Sequence, residues 1–192
     1  MTESVINYFK KITNLSSEES KILSETMELK TFEKGSFLIK EGQYENESFL
    51  VMKGLVRQYK NVDGNEVTTN FFTEEQWIIN FETVEGKSIS KYNLLCVEDT
   101  TVVIGDEEKA VKLFQQFPKF ERVSRQIMET VFKEQQEQMV SHLTDKPENR
   151  YLKLLAARPD IFQRVAQYDI ASYIGVKPES LSRIRKKLAQ KD

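Results

Sequence analysis

Near its C-terminal end the chain reads GVKPESLSRIRKKL (residues 175–188), a stretch whose side chains are of the kinds that read a DNA duplex. A guanidinium can donate two hydrogen bonds to O6 and N7 of guanine, and a carboxylate can accept one from N4 of cytosine. Lysines a turn away neutralise phosphates and add salt-dependent affinity without discriminating sequence. Arg183 and Glu179 suit the first two tasks, and Lys186 and Lys187 the third. Leu181, Ile184 and Leu188 recur at i, i+3 and i+7, so one helical flank turns inward and leaves Glu179, Ser180, Ser182, Arg183, Lys186 and Lys187 outward. Glu179 and Arg183 also stand four apart, the spacing of an ordinary surface ion pair worth roughly a few tenths of a kcal/mol.

The preceding segment, DIASYIG, supplies what such a helix needs to be held. Ile170 and Ile174 lie four apart, Ala171 lets two helices approach, Gly175 can take the positive φ of a tight turn, and Val176 plugs the corner. Pro178 suits the first turn of the next helix. The pattern predicts a helix-turn-helix. Charge agrees: from Arg150 onward ten Lys or Arg face four Asp or Glu, a local +6 in a chain of net charge -2, so residues 1–149 carry -8. A basic module joined to an acidic one is expected where a single part meets a polyanion.

Upstream of these helices the period changes. Ser4 to Phe9 and Ser17 to Met27 read as short helices, the second opened by Ser16 with Glu19 three residues on, a capping-box spacing. From Leu29 the segments LKTFEKGSFLIKEG, ESFLVMKGLVRQYKN and EVTTNFFT alternate apolar with polar residues and break at Gly35, Gly42, Gly54 and Asp63-Gly64, the last a hairpin signal. After an irregular stretch from Trp77 to Ser90, strand character resumes in KYNLLCVEDTTVVIGD. So dense a run of short strands predicts an antiparallel roll or barrel. Helical character returns at Asp106, and Lys119 to Thr144 is a long stretch without Gly or Pro. Phe120, Val123, Ile127 and Val131 stripe its first half, and the polar KEQQEQ follows. At about 39 Å such a helix suits a dimer spine built on that stripe, with burial against the chain's own β domain as the competing use. The expected division is 1–117 (roll with flanking helices), 118–145 (connecting and dimerisation helix) and 146–192 (helix-turn-helix domain), an α+β chain.

Residues 168–188 (YDIASYIGVKPESLSRIRKKL) closely resemble the DNA-binding motif of the Crp/Fnr family of bacterial transcription regulators, and PENRYLKLLAARPDIFQRVAQYDIASYIG is similar to that family's approach to the motif. FEKGSFLIKEG, FLVMKGLVRQY and the Asp-Gly hairpin resemble its cyclic-nucleotide-type β-roll, so the similarity covers nearly the whole chain. The resemblance implies a homodimeric regulator of double-stranded DNA, with a near-palindromic operator and RNA polymerase as a further partner. It places Glu179 and Arg183 on base-contacting positions, Lys186, Gln167, Tyr168 and Ser180 on backbone-contacting ones, and Lys177 and Ser182 within the same DNA-facing set. Pro178 falls where the family's best-known member has a base-contacting arginine, which implies a different operator. Only four residues follow Leu188, so the β-hairpin wing of many relatives is expected to be missing.

Nucleotide-binding members hold the cyclic phosphate with a Gly-Glu pair and, ten residues after the Glu, Arg followed by Ser or Thr. The corresponding positions here are Ile79-Asn80 and Ser90-Lys91, and a lysine offers no fork for a phosphate. Ordinary cyclic AMP or cyclic GMP binding is therefore not expected. Trp77, Asn80, Ser90, Lys91 and Tyr92 mark a degenerate pocket that either takes an unknown effector or is filled as core.

Other chemistries find little support. Cys96 is alone in an apolar run and His142 is the single histidine, so neither a metal nor a cofactor is expected. No Ser-His-Asp order or glycine-rich phosphate loop argues for an enzyme. No apolar run approaches a membrane span and MTESVINYFKK does not read as a secretion signal, so a cytoplasmic protein without a membrane partner is expected. The competing reading is a β-roll sensor or protein-interaction module whose basic helical tail docks an acidic protein.

Overall fold

The computed structural model describes residues 2–44, 47–79 and 89–190. Two helices open the chain, α1 (Thr2–Ile12) and α2 (Ser17–Thr26). Ser16 caps α2 by accepting from the Glu19 amide while the Glu19 carboxylate accepts from the Ser16 amide, the reciprocal box its spacing predicts. Eight strands follow: β1 (Glu28–Phe32), β2 (Phe37–Ile39), β3 (Glu47–Lys53), β4 (Val56–Val62), β5 (Asn65–Phe72), β6 (Trp77–Ile78), β7 (Asn93–Cys96) and β8 (Thr100–Asp106). They form two antiparallel four-stranded sheets, ordered β1-β8-β3-β6 and β2-β7-β4-β5. Asp63 and Gly64 both take positive φ between Val62 and Asn65, the two-residue turn whose twist matches its strands.

Each sheet is buried on both faces, and the strands read accordingly. Phe49, Val51, Val56, Phe72, Leu94, Cys96 and Val102 fill the space between the sheets. Their neighbours point the other way. Leu50 and Val103 pack beneath Val5, Phe9 and Leu23 of the first two helices, whereas Leu55 and Phe71 face the C-terminal helices. A continuous apolar run such as FLVM in β3 is the expected signature of a strand covered twice. Gly54, at φ 99°, permits the close crossing before β4, because a Cβ there would meet the Asp99 carbonyl and Thr100 at 2.6–2.7 Å.

Helix α3 (Glu107–Gln116) is capped by Asp106 and leads into α4 (Lys119–Thr144), the long helix its composition predicts. The stripe assigned to a dimer spine is corrected here. Phe120 and Val123 are buried in the chain's own core with Val5, Phe9, Leu23 and Leu113, Ile127 packs on the same cluster, and Val131 is buried further along. A side chain already removed from water has no surface left to bury against a second copy. The apolar residues of α4 that remain exposed are Met128, Phe132, Met139, Val140 and Leu143.

The C-terminal part is all helical: α5 (Pro147–Ala157), a single turn α6 (Ile161–Arg164), α7 (Gln167–Tyr173) and α8 (Pro178–Ala189). Its core of Tyr151, Leu154, Ile161, Val165, Ile170, Ile174, Leu181 and Ile184 is continuous with Leu55 and Phe71 of the roll. Among the described residues no helix is long and apolar enough to cross a membrane.

Candidate nucleic-acid interface

The turn between α7 and α8 is built by backbone hydrogen bonds that glycine makes possible. Gly175 (φ 72°) ends α7 as the left-handed residue of a Schellman motif, in which the Val176 amide donates to the Ala171 carbonyl at 2.9 Å and the Gly175 amide to the Ser172 carbonyl at 3.0 Å. Lys177 then caps α8 with extended backbone, and Pro178 occupies the first helical position, where its missing N–H costs nothing. Two helices leave this corner packed through Ile170, Ala171 and Ile174 against Leu181 and Ile184, all five buried.

At 100° per residue the buried stripe of Leu181, Ile184 and Leu188 puts Glu179, Arg183 and Lys186 diametrically outward, with Ser182 beside them. All four are exposed. Ser180 is half-buried and accepts from the Arg183 guanidinium at 3.1 Å. The plain ion pair between Glu179 and Arg183 does not form among the described residues, so both groups face solvent. Glu179 sits in the first turn, where a carboxylate is favoured by the helix dipole. Lys177, Gln167 and Tyr168 are exposed on the same side of the corner as the two helix N-termini that they open or cap, Tyr168 at 62%. Lys187 departs from the set: it lies on the flank and gives its ammonium to Glu148 of α5 at 2.7 Å.

The arginines that hold this corner were not legible as site residues, because their partners are distant in sequence. Arg150 donates from Nε and Nη2 to the Ile174 carbonyl at 2.9 and 2.7 Å, and from Nη1 to the Asp145 carbonyl at 2.6 Å, tying the end of α4 to the turn. Arg158 donates to the Phe71 carbonyl. Arg164 reaches Glu74, Glu98 and Asp160 together, and its guanidinium is held above even the usual arginine value, chiefly by the Glu98 hydrogen bond. Arg57 of β4, buried in the roll, lies 2.8 Å from Asp169 of α7. Burial pushes the Asp169 carboxyl up while Arg57 pulls it back.

The residues expected to line an effector pocket are not gathered at one place. Trp77 donates its indole N–H to the Tyr8 hydroxyl at 2.8 Å and packs in the cluster beneath α1. Ser90 is buried beside Gly42, whose amide it accepts, and its hydroxyl donates to the Tyr92 carbonyl. Lys91 is exposed and Tyr92 half-buried; Asn80 lies outside the described residues. Next to this group Asn93 accepts from the Glu41 amide, while its buried Nδ2 has no partner among the described residues. A separate open cleft of about 880 Å³ lies between β5, the far half of α4 and α5, lined by Asn70, Gln76, Gln135, His142, Arg158 and Tyr173 among others. Here the polar run that suited no core meets water. Among the described residues no group of His, Cys, Asp and Glu is arranged to hold a metal ion.

Residues 29–117 match the cyclic nucleotide-binding domain family. Solved structures extend the likeness past that domain to most of the chain. FixK2 from Bradyrhizobium japonicum superposes with a TM-score of 0.71 at 17% identity, covering 86% of this chain and 85% of that one. A regulator assigned to the crp/fnr family from Eubacterium rectale gives 0.67 at 17%, covering 96% and 88%. The fold is that of a Crp/Fnr-type regulator. CLP from Xanthomonas campestris, described as a c-di-GMP responsive global regulator, gives 0.68 at 15% identity over 89% of this chain and 90% of its own. No curated protein sequence matches the chain. In this Crp/Fnr-type fold the roll occupies residues 29–117 and the exposed flank of α8 stands at the opposite end of the chain.

Proposed function

We propose that this chain is a sequence-specific DNA-binding transcription regulator of the Crp/Fnr type, in which α7 and α8 act as a helix-turn-helix and α8 enters the major groove. One observation carries the reading: Leu181 and Ile184 are buried while Glu179, Ser182, Arg183 and Lys186, on the opposite flank, are exposed. Arg183 donates to guanine and Glu179 accepts from cytosine; Lys177, Ser180, Lys186, Gln167 and Tyr168 hold the phosphate backbone. Lys187 contributes charge to the same surface from its pair with Glu148.

The chain acts as a homodimer on a near-palindromic operator, its two recognition helices about 34 Å apart. Met128, Phe132 and Met139 support a different dimer face from the one the sequence suggests: they are exposed, and their spacing of four and then seven falls on the a and d positions of one heptad register, with Gln135 between. Ordinary cyclic AMP is not the effector, since Ser90 and Lys91 stand where a phosphate-binding arginine would be needed. RNA polymerase is the partner through which such a cytoplasmic regulator acts. Selection from a random duplex library tests the reading: it predicts enrichment of a two-fold symmetric motif with a guanine at a fixed place in each half. A bound pool with no common motif contradicts it. Titration with cyclic AMP is expected to release no heat of binding, and micromolar affinity at full occupancy would overturn that part.

A further inference from the structure

Arg57 is an unusual residue for the middle of a sheet: its surface is 3% exposed, in a strand of the roll, far in sequence from any DNA-facing group. Every nitrogen of its guanidinium is engaged. Nε donates to the Thr68 hydroxyl at 2.9 Å, Nη1 to Glu66 at 2.6 Å, and Nη2 lies 2.8 Å from Asp169 Oδ1, with the Tyr59 ring 4.5 Å from the guanidinium carbon. Asp169 is itself 5% exposed, in the first turn of α7. One turn on, Ser172 accepts from the Thr68 amide at 2.9 Å and donates to the Glu66 carbonyl at 3.4 Å. Asp169 and Ser172, three apart, therefore present one polar face of α7 to the β4–β5 hairpin. The apolar face, Ile170, Ala171 and Ile174, carries α8.

We propose that Arg57 and Asp169 are positioning residues for DNA recognition: their buried pair, closed by Ser172 on Thr68, fixes the pose of the α7–α8 corner on the roll and so sets the half-site spacing the dimer accepts. The inference rests on the DNA-reading role of α8 and adds to it a determinant that never touches DNA. A buried ion pair is a poor source of net stability because both charges lose their water. What it does supply is direction, because a forked guanidinium accepts a carboxylate in one geometry and penalises any shift that leaves the charge unpaired. Hydrophobic contact between the roll and the helices, through Leu55 and Phe71, tolerates small slips; the Arg57 fork does not. Two recognition helices must meet successive major grooves at once, so a loosened corner widens the range of spacings that fit while leaving each helix able to read its own half-site.

Two readouts test this in the full-length chain. The exchange rate of the Thr68 amide proton reports the corner directly, since that proton is given to Ser172. Relative affinity for a selected operator and for the same half-sites moved apart by about 5 bp, half a helical turn, reports spacing preference. Asp169→Ala is expected to speed exchange at Thr68 by roughly fivefold or more and to reduce the spacing preference by a similar factor, the scale of coupling between linked sites. Affinity for an isolated half-site should stay as it was. Arg57→Met is expected to do the same, and Arg57→Lys, which keeps the charge but not the fork, to restore part of the preference. A purely structural role would lower the melting temperature and all affinities together with the spacing preference intact, and that result overturns the proposal. So does an unchanged Thr68 amide in both Asp169→Ala and Arg57→Met. Should the wild-type chain bind no duplex or show no spacing preference, the DNA or dimer reading falls by itself, and the proposal falls with it whatever Thr68 does.

Discussion

The roll–α7 junction and the outer flank of α8 use the same residue type in opposite ways. At the junction Arg57, Arg150, Arg158 and Arg164 are satisfied by carboxylates and carbonyls of the same chain. On α8, Arg183 reaches only the neighbouring Ser180 hydroxyl, and Arg185 and Lys186 are exposed. Of the ten cationic side chains beyond residue 149, Arg150, Lys153, Arg158, Arg164 and Lys187 have carboxylate or carbonyl partners within the protein. A local charge of +6 therefore overstates what a polyanion meets. The informative quantity is which cations still face solvent once the fold has used the others.

If that division is right, the largest effect comes from the inward stripe. Leu181→Ala is expected to cost about 2–5 kcal/mol of folding stability, read by chemical denaturation, because the side chain is fully buried between two helices. A loss within ±0.5 kcal/mol, the range of an ordinary surface change, would break the comparison. Arg183→Ala should do the reverse, leaving stability within about 0.5 kcal/mol while costing roughly 1–3 kcal/mol of cognate binding and relaxing preference at one base pair per half-site. Equal losses on cognate and scrambled duplexes would remove Arg183 from the reading set.

Gly175→Ala sharpens the role of the turn. A left-handed φ costs a residue with a Cβ about 1–2 kcal/mol, and the added carbon would stand 3.3 Å from the Arg150 guanidinium. Melting should shift accordingly, with the roll's strand signal unchanged. The smallest effect belongs to Glu74, which binds Arg164 and accepts from the Gly54 amide. Burial pushes its carboxyl up, but the Arg164 and backbone hydrogen bonds outweigh that and hold it below the ordinary value. Its contribution is thus present above the unfolded value of about 4.3 and lost as the pH falls through the lowered one. Glu74→Gln should destabilise by at most about 1 kcal/mol at neutral pH, since the pair is partly solvent-screened, and the difference should vanish on acidification. A difference that persists at low pH would assign the effect to packing.

Local signals in the sequence were reliable wherever a short rule governs. The Ser16–Glu19 box, the Asp63-Gly64 turn, Gly175 and the Leu181–Ile184–Leu188 stripe all depend on neighbours within one or two turns, and each stands where the pattern places it. The stripe on α4 was ambiguous for a physical reason. An amphipathic face states that something covers it and not what, and Phe120 and Val123 are covered by α1 and α2 of the same chain. Trp77 failed as a pocket residue in the same way, its indole N–H being taken by Tyr8, 69 residues away. Arg57 and Asp169 were invisible because a strand arginine and a helix aspartate carry no sign of each other until β4 and α7 meet.

Affinity for a duplex selected from a random library, measured beside a scrambled duplex as salt rises from about 50 to 200 mM, tests the central claim most directly. The account predicts that both affinities fall steeply and linearly on logarithmic axes, with the selected duplex ahead at every salt concentration. Binding that is absent at the lowest salt, or equal for the two sequences throughout, would contradict it.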